Sequence, residues 1–361
     1  MSIKTESSPE DIGFEGPEKN LQVVFNNKIY FDTGTLRSIT QERWQEMLRY
    51  AKCKILSSIE NEKMITFILS ESSLFVYDDR IILKTCGTTP LLNALDDIIL
   101  IGKELNIKPA AVLYWRKNFS NPNLQEPVHQ SFENESNFLD EHLGGDSRKA
   151  ILGPFEKDHF YFYYSELLPK EEFNPVFNTF EIKMHEIHPE KAEEFCWKTE
   201  TGNGTGTVRP QTLIEVYEKN PGYKIDEFFF QPCGYSMNGI KEQNYETIHV
   251  TPEASCSYLS FETNDSQYIN SNNKEWEIIK IFKPFSCATI EIKNGGGLAD
   301  NAKNVSNRDY RLVSTDFATL GNIQIEFHSY ETNEMHPMVT VAKRRQQRIA
   351  LMKDVKSLKV S

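Results

Sequence analysis

A serine cluster and a cysteine lie close together in the first quarter of the sequence. Residues 69–76 read Leu-Ser-Glu-Ser-Ser-Leu-Phe-Val, and Cys86 follows Ser72 by fourteen positions. A serine hydroxyl is a poor nucleophile without an activating partner, whereas a thiol can serve as a nucleophile or as a proton donor. By itself the cluster is typical of a polar turn. Any chemistry therefore depends on the groups that the fold brings to these residues.

A second pair with chemical potential lies in the other half of the chain. Ser236 precedes His249 by thirteen positions. An imidazole is suited to proton abstraction near neutral pH, because its unperturbed pKa lies there. A strand histidine with satisfied hydrogen bonds is an equally good interpretation of the residue alone. The similar spacing of the two pairs hints at an internal duplication of a βαβ-like unit.

Short apolar and β-branched runs predict the strands that would carry these residues. In the first half, the predicted strands cover residues 23–25, 67–69, 74–76, 81–83, 110–115 and 160–164. In the second half, they cover residues 179–184, 228–230, 247–250, 257–261, 289–292 and 323–327. The polar clusters between the strands around Ser72 indicate hairpins.

Helices are predicted between the strands. Thr40 is expected to cap a helix whose buried face carries Trp44 and Met47, and Thr89-Pro90 is expected to open a helix that reaches about Leu105. Further helices are predicted at residues 131–143, 189–196 and 274–282. Paired strands with intervening helices favour an α+β architecture, in which antiparallel sheets are covered by helices.

The composition is that of an ordinary globular protein with an acidic balance. Of the 361 residues, 39% are hydrophobic and 25% are charged, which suffices for one large domain or two ordinary ones. The formal net charge of -12 argues against nucleic acid as a partner, because that role needs a basic footprint. A small cationic substrate would be steered favourably by this charge.

The chain shows no sequence feature of a membrane or metal protein. Residues 1–11 are polar and are expected to form a flexible tail without the apolar core of a signal peptide. The six cysteines include no CxxC pair, which argues against a disulfide framework and a metal site. We therefore expect a soluble, cytoplasmic protein without a membrane partner. From Val339 onward, seven lysines and arginines stand against one aspartate, so residues 331–361 are expected to be a basic extension.

Six motifs, in one order and spacing, make the sequence resemble the eukaryotic S-adenosylmethionine decarboxylase proenzymes. The resemblance runs from about Gly13 to Tyr330, and only the combination of the motifs is specific. They are Phe14-Glu15-Gly16-Pro17-Glu18-Lys19, residues 69–76, residues 83–89, Pro232-Cys233-Gly234-Tyr235-Ser236-Met237-Asn238-Gly239, Thr247-Ile248-His249-Val250-Thr251-Pro252-Glu253 and Ser260-Phe261-Glu262-Thr263-Asn264.

The resemblance implies a fold and a self-cleavage. The fold is a four-layer α/β/β/α sandwich of two antiparallel sheets flanked by helices, with internal duplication, in one domain over residues 12–330. In that family the hydroxyl matching Ser72 attacks the carbonyl matching Glu71, and the resulting ester eliminates to leave a pyruvoyl group. The products would be chains 1–71 and 72–361, which stay together. The pyruvoyl group is the implied cofactor, and no metal is expected.

The resemblance also implies roles for individual side chains. His249 would act as the base in self-cleavage, with Ser236 as its hydrogen-bonding support. The pyruvoyl ketone would form a Schiff base with S-adenosylmethionine and accept the electrons released as CO₂ leaves. Cys86 would then return a proton to the α-carbon, although without the resemblance it would be typical of a small buried residue.

Substrate binding is implied for two aromatic rings and several acidic groups. Aromatic faces suit an adenine base next to a sulfonium cation. The implied residues are Phe14 and Phe230 around the adenine, the Glu71 backbone at its edge, Glu253 at the ribose hydroxyls, and Glu15 and Glu18 at the acidic entrance, with Glu15 near the reacting centre.

The sequence departs from the resemblance at a buried acidic network in which many relatives bind putrescine as an activator. Two positions where acids are expected hold Gln22 and Phe177. Losing two carboxylates weakens the attraction for a dication, so we expect putrescine activation to be weak or absent. The matching members of the network are Lys84, Thr179, Glu181 and Glu262.

The sequence therefore predicts a pyruvoyl-dependent adenosylmethionine decarboxylase that supplies aminopropyl groups for spermidine and spermine. An inactive homologue that serves as the regulatory subunit of an active partner is the first alternative, and a generic serine or cysteine hydrolase is the second. The sequence leaves the oligomeric state open, with a homodimer among the alternatives.

Overall fold

The computed structural model describes residues 18–26, 34–144, 146–169, 175–196, 210–231, 233–252, 257–269, 274–294 and 307–333. The predicted tail 1–11 lies outside these residues, as do Phe14, Glu15 and Glu253. The last described strand runs to Thr332, so the basic extension predicted from residue 331 overlaps it by two residues.

The first half of the chain forms an eight-stranded antiparallel sheet. Its strands are β1 (Lys19–Asn26), β2 (Ile55–Glu60), β3 (Met64–Leu69), β4 (Ser72–Tyr77), β5 (Arg80–Thr85), β6 (Lys108–Lys117), β7 (Asp146–Leu152) and β8 (Phe160–Glu166). They lie in the order β2-β3-β4-β5-β1-β6-β8-β7. Hairpins β3/β4 and β4/β5 place the serine cluster at one end of this sheet.

The second half forms a second eight-stranded antiparallel sheet. Its strands are β9 (Asn178–His185), β10 (Lys224–Phe229), β11 (Tyr235–Lys241), β12 (Asn244–Thr251), β13 (Tyr258–Thr263), β14 (Ser286–Asn294), β15 (Tyr310–Leu320) and β16 (Ile323–Thr332). They lie in the order β10-β11-β12-β13-β9-β14-β16-β15, which repeats the first sheet strand for strand. The internal duplication is therefore confirmed.

The repeated unit differs from the one that the sequence suggested. Neighbouring strands are antiparallel, so the unit is not βαβ. The segment from Ser72 to Cys86 spans β4 and β5, whereas Ser236 and His249 lie on β11 and β12. By strand order, β11 and β12 correspond to β3 and β4. The similar spacing of the two residue pairs thus does not reflect equivalent positions in the repeat.

Helices cover the outer face of each sheet. They are α1 (Gln41–Tyr50), α2 (Leu95–Glu104) and α3 (Phe132–Leu143) on the first sheet, and α4 (Pro189–Glu193), α5 (Gln211–Lys219), α6 (Ser266–Ile269) and α7 (Lys274–Phe282) on the second. Thr40 caps α1 as predicted, because its hydroxyl accepts the Arg43 N–H at 3.3 Å. In the described part of the chain, no helix is long and apolar enough to cross a membrane.

The predicted opening of the second helix at Thr89-Pro90 is wrong. A 3₁₀ turn at Leu91–Ala94 precedes α2, and Pro90 caps that turn without a side-chain hydrogen bond. The Leu91 N–H is satisfied by the Thr89 carbonyl, so the threonine contributes its backbone here.

Apolar side chains fill three layers, between helices and sheet on both outer faces and between the two sheets. Strand β9 shows how the alternation builds two of them. Phe180, Ile182 and Met184 face the helices of the second sheet, so the alternate side chains Glu181 and Lys183 point toward the first sheet. The predicted four-layer sandwich is confirmed, and the space between its sheets is partly polar.

Candidate active site

A cleft at one end of the sandwich collects six of the residues that the sequence singled out, namely Glu71, Ser72, Cys86, Phe230, Ser236 and His249. Its volume is about 220 Å³. The ends of strands from both sheets form it, so side chains far apart in the sequence meet there. It is lined by Ser70, Glu71, Ser72, Cys86, Phe230, Cys233, Gly234, Tyr235, Ser236, His249, Val250 and Thr251.

Ser72 sits in this cleft with a strained backbone. It is the first residue of β4, is 3% exposed, and has a φ of 145°. That region of backbone conformation favours glycine, and a side chain there costs on the order of 1–3 kcal/mol. The strained rotation is about the N–Cα bond of Ser72, next to the peptide bond with Glu71, so breaking that peptide bond would relieve it.

The carbonyl of that peptide bond faces two hydrogen-bond donors from one residue. The Glu71 oxygen accepts the Cys86 N–H at 3.0 Å and lies 3.3 Å from the Cys86 thiol. Donors aimed at a carbonyl oxygen polarise it and stabilise the negative charge that develops when a nucleophile adds. The turn after β5 therefore provides an oxyanion-stabilising site for attack on Glu71.

His249 from the second sheet reaches the Ser72 hydroxyl. Its Nδ1 lies 3.1 Å and its Nε2 3.3 Å from Ser72 Oγ. The ring is also held through Nε2 by the hydroxyls of Ser73 and Thr247, both at 3.0 Å. Both hydroxyls contact Asn238 Oδ1, at 2.7 and 3.1 Å. This network fixes the imidazole beside the hydroxyl it could deprotonate.

The surroundings keep His249 neutral. Burial lowers the pKa of His249 to about 4, and the Lys84 and Lys183 ammonium groups add to this effect, whereas the Glu18 carboxylate opposes it. A neutral imidazole has a lone pair for the serine proton, so the ring is a competent base at neutral pH.

Glu18 is the acidic group nearest to this pair. One carboxylate oxygen, Oε1, lies 3.4 Å from His249 Nδ1 and 3.5 Å from Ser72 Oγ. Burial would raise the pKa of the Glu18 carboxyl, but Lys183 and Lys84 outweigh burial and hold the pKa well below its usual range. The carboxylate therefore remains ionised although it is buried.

The thiol of Cys86 remains protonated. Burial raises the pKa of Cys86 well above its usual value, and the Glu71 and Glu18 carboxylates raise it further. A protonated thiol is a weak nucleophile but can donate a proton. The surroundings thus favour the proton-donor role over that of a nucleophile.

Comparisons with known proteins give the family. A family profile described as adenosylmethionine decarboxylase matches residues 11–332, which is nearly the whole chain. The chain belongs to the adenosylmethionine decarboxylase family. The S-adenosylmethionine decarboxylase proenzyme of Dictyostelium discoideum is 37% identical over 281 residues, covering 75% of this chain and 72% of that protein. The proenzyme of Onchocerca volvulus is 39% identical over 295 residues, covering 80% and 79%.

A solved structure supports the same fold. The crystal structure of the Trypanosoma brucei AdoMetDC-delta26 monomer aligns with a TM-score of 0.55 and 23% sequence identity. It covers 72% of this chain and 99% of that one. The two-sheet sandwich is therefore a shared architecture.

In this member of the adenosylmethionine decarboxylase family, two further residues predicted from the sequence, Ser236 and Phe230, lie in the cleft. Ser236 lies opposite His249 in the register of β11 and β12, so both side chains point to the same face. Phe230 directly follows β10 and lies in the cleft wall. Its N–H donates to the Gly234 carbonyl, and Gly234 has a φ of 122°, which favours glycine.

The residues that the sequence analysis assigned to a possible putrescine network form a buried polar cluster between the sheets. Lys84 pairs with Glu262 and lies 3.3 Å from Glu181. Glu181 also accepts the Trp115 indole N–H at 2.9 Å. Thr179 is buried on the same face of β9, two residues before Glu181.

The two substituted positions of that network differ from each other in their surroundings. Phe177 packs edge-on against Tyr164 in the apolar layer between the sheets. Gln22 is buried at 2% exposure on β1. A phenyl ring therefore occupies the place where the resemblance expects a carboxylate.

Several residues around the site were missed from the sequence. Ser73, Thr247 and Asn238 hold the His249 ring, and Lys183 contacts Glu18 at 2.7 Å. The alternation Thr-Phe-Glu-Ile-Lys-Met at residues 179–184 was the available signal for Lys183, because it places Lys183 on the face that carries Glu181.

Proposed function

We propose that this protein is a self-cleaving, pyruvoyl-dependent decarboxylase of S-adenosylmethionine. The observation that carries the proposal is the strained Ser72, whose hydroxyl contacts a neutral imidazole while the adjoining Glu71 carbonyl faces two donors. A nucleophile, a base and an oxyanion site thus meet at one peptide bond. An inactive homologue would have no need of this arrangement.

The self-cleavage follows from these contacts. His249 takes the proton of the Ser72 hydroxyl, whose oxygen adds to the Glu71 carbonyl carbon while Cys86 stabilises the oxygen. The carbon–nitrogen bond then breaks, the Ser72 nitrogen takes up a proton, and an ester remains. Removal of the Ser72 α-proton expels the Glu71 carboxylate and leaves dehydroalanine, which tautomerises. Water then replaces its nitrogen, releasing ammonia and leaving a pyruvoyl group.

The residues of the cleft fit the group that results. A pyruvoyl group at residue 72 supplies an electron-withdrawing ketone for the decarboxylation of an α-amino acid. It would lie in the cleft beside Cys86, whose protonated thiol we assign to protonating the product's α-carbon. Phe230 would contact the adenine, and Ser236 would support His249. Phe14, Glu15 and Glu253 keep the roles that the sequence suggests and lie outside the described residues.

The direct test uses the unaltered chain. The intact mass of the purified protein is expected to show two chains, residues 1–71 and a pyruvoyl-capped 72–361. The same preparation is expected to release labelled CO₂ from carboxyl-labelled S-adenosylmethionine. A single uncut chain without CO₂ release would refute the proposal, and an uncut chain that hydrolyses esters would favour the hydrolase alternative.

The rate of self-cleavage is expected to depend on pH through His249. Only the neutral ring can accept the serine proton, and it predominates above its pKa of about 4. Cleavage should therefore be independent of pH near neutrality and should fall to half near pH 4. Time courses of the uncut chain in buffers of graded pH would measure this. A half-rate near about pH 6.5, the ordinary value for histidine, would contradict the prediction.

Putrescine is expected to stimulate this protein weakly or not at all. The carboxylates Glu18, Glu181 and Glu262 already contact the ammonium groups of Lys84 and Lys183, so the buried charge is largely compensated. A dication would have to displace these contacts at a cost in buried ion pairing. Activity and cleavage titrated with putrescine should change by less than about twofold, which is under 1 kcal/mol. A saturable rise of about tenfold or more would contradict this prediction.

We place the reaction in the cytoplasm. In the described part of the chain, Cys53, Cys86, Cys196, Cys233 and Cys287 are not joined in disulfides, as is usual in a reducing compartment.

The two chains made by cleavage would stay associated, because β3 and β4 lie on opposite sides of the cut and pair with each other.

A further inference from the structure

Lys183 is a fully buried lysine that lies next to the acidic residue of the cleavage site. It stands in β9 between Ser260 of β13 and Ala288 of β14, and it is 1% exposed. Its ammonium group lies 2.7 Å from Glu18 Oε2 and 2.9 Å from Glu181 Oε1. It therefore bridges two carboxylates, one just before β1 of the first sheet and one on β9 of the second sheet.

The two oxygens of Glu18 face in different directions. Oε2 accepts from Lys183, whereas Oε1 is the oxygen that lies 3.4 Å from His249 Nδ1 and 3.5 Å from Ser72 Oγ. A charge-assisted hydrogen bond to one oxygen fixes the rotation of the carboxylate group. Lys183 thereby determines where the other oxygen points.

The second buried lysine cannot take over this task from its present position. Lys84 has its closest contact with Glu262 and lies 3.7 Å from Glu18 Oε2. Lys183 is thus the cation nearest to Glu18, whereas Lys84 pairs mainly with Glu262.

Removing the Lys183 charge would alter the state of Glu18. A buried carboxylate that loses its nearest cation tends to take up a proton. A protonated Glu18 no longer presents an anionic oxygen to His249, so the imidazolium that forms when the ring takes the Ser72 proton loses its nearest negative charge.

We propose that Lys183 is a positioning residue for self-cleavage, which acts by keeping the Glu18 carboxylate ionised and aimed at His249 and Ser72. The inference rests on the proposed function, and it adds a residue to the reaction without placing that residue in contact with the reacting atoms.

A double-mutant cycle tests whether Lys183 acts through Glu18. The full chain is made by cell-free synthesis, and the uncut fraction is followed over time for wild type, Lys183→Met, Glu18→Gln and the double variant. Lys183→Met is expected to slow cleavage at least about tenfold, and the double variant is expected to be no slower than the slower single variant. Lys183→Arg, which restores a cation, should recover most of the rate.

Two results would overturn the inference. One is cleavage of Lys183→Met within about threefold of the wild-type rate, and the other is multiplication of the two single effects in the double variant. If Lys183→Met does not fold, Lys183→Gln takes its place in the cycle with the same criteria. If the wild-type chain itself remains uncut and inactive, the proposed function fails. If the wild-type chain is cut and only the rates of the variants depart from expectation, the inference about Lys183 fails and the proposed function stands.

A matched control comes from the neighbouring strand. Lys293 of β14 pairs with Glu291 at 2.8 Å, and its side chain is 29% exposed. Lys293→Met removes one lysine ion pair outside the cleft, so its cleavage rate should stay within about twofold of wild type.

Discussion

A chain carrying Ser72→Ala is expected to remain a single polypeptide of 361 residues, whereas the unaltered chain is expected to become two. Alanine has no hydroxyl to attack the Glu71 carbonyl, so the ester cannot form and no pyruvoyl group arises. Intact mass and denaturing electrophoresis measure the difference, and decarboxylation should fall to background. This is the largest effect that we expect from one substitution, because it removes the nucleophile and the source of the cofactor together.

Ser70→Ala is the matched control for this experiment. The Ser70 hydroxyl lies two residues away and accepts the Lys54 N–H at 3.1 Å, a contact outside the reacting group. The Ser70→Ala chain should still cut between residues 71 and 72. Two chains from Ser72→Ala would mean that cleavage does not use this hydroxyl and would refute the proposed route.

His249→Ala is expected to slow self-cleavage by about 10² to 10⁴, the usual contribution of a positioned general base. The imidazole lies 3.1 Å from Ser72 Oγ, and the described contacts give that hydroxyl no other neutral base. The uncut fraction followed over time gives the rate. His249→Gln, which keeps hydrogen-bonding groups for Ser73 and Thr247 but cannot act as a base at neutral pH, should show a similar loss.

The control for the histidine is His142→Ala. His142 lies on α3, where its ring is half-buried and its Nδ1 contacts the Phe138 carbonyl at 2.7 Å. Its replacement should leave cleavage unchanged. Full cleavage of a folded His249→Gln chain would show that His249 is not the base. Melting temperatures of the His249 variants, measured in chains that also carry Ser72→Ala and so cannot cut, would show whether the substitution affects folding.

Most buried strands could be predicted from the sequence, whereas three of the four edge strands could not. Interior strands such as β3 and β6 carry runs of apolar side chains, because both of their faces are covered. Strands β2, β7 and β15 lie at sheet edges and alternate exposed with partly buried residues, so they lack a clear apolar run. Strand β11 is buried but contains Asn238 and Gly239, which disfavour a strand in local patterns.

The candidate site likewise has features that could be predicted from the sequence and others that could not. The motifs around Ser72, Cys86, Ser236 and His249 were recognisable as sequence, and the structure brings all four to one cleft. The positive φ of Ser72 and the two donors at the Glu71 carbonyl were not recognisable. A backbone angle and a turn geometry depend on how β4 and β5 pair, which local residue types do not encode.

The sequence by itself determined the chemical groups of this protein, the apolar alternation of its interior strands and its place in a family. The tertiary structure decided which of those groups meet. Ser72 and His249 are 177 positions apart and come from different sheets, and Glu18, Lys84 and Lys183 come from three strand regions. Their ionisation depends on burial and on the distances between charges, and both quantities exist only after the two sheets pack face to face.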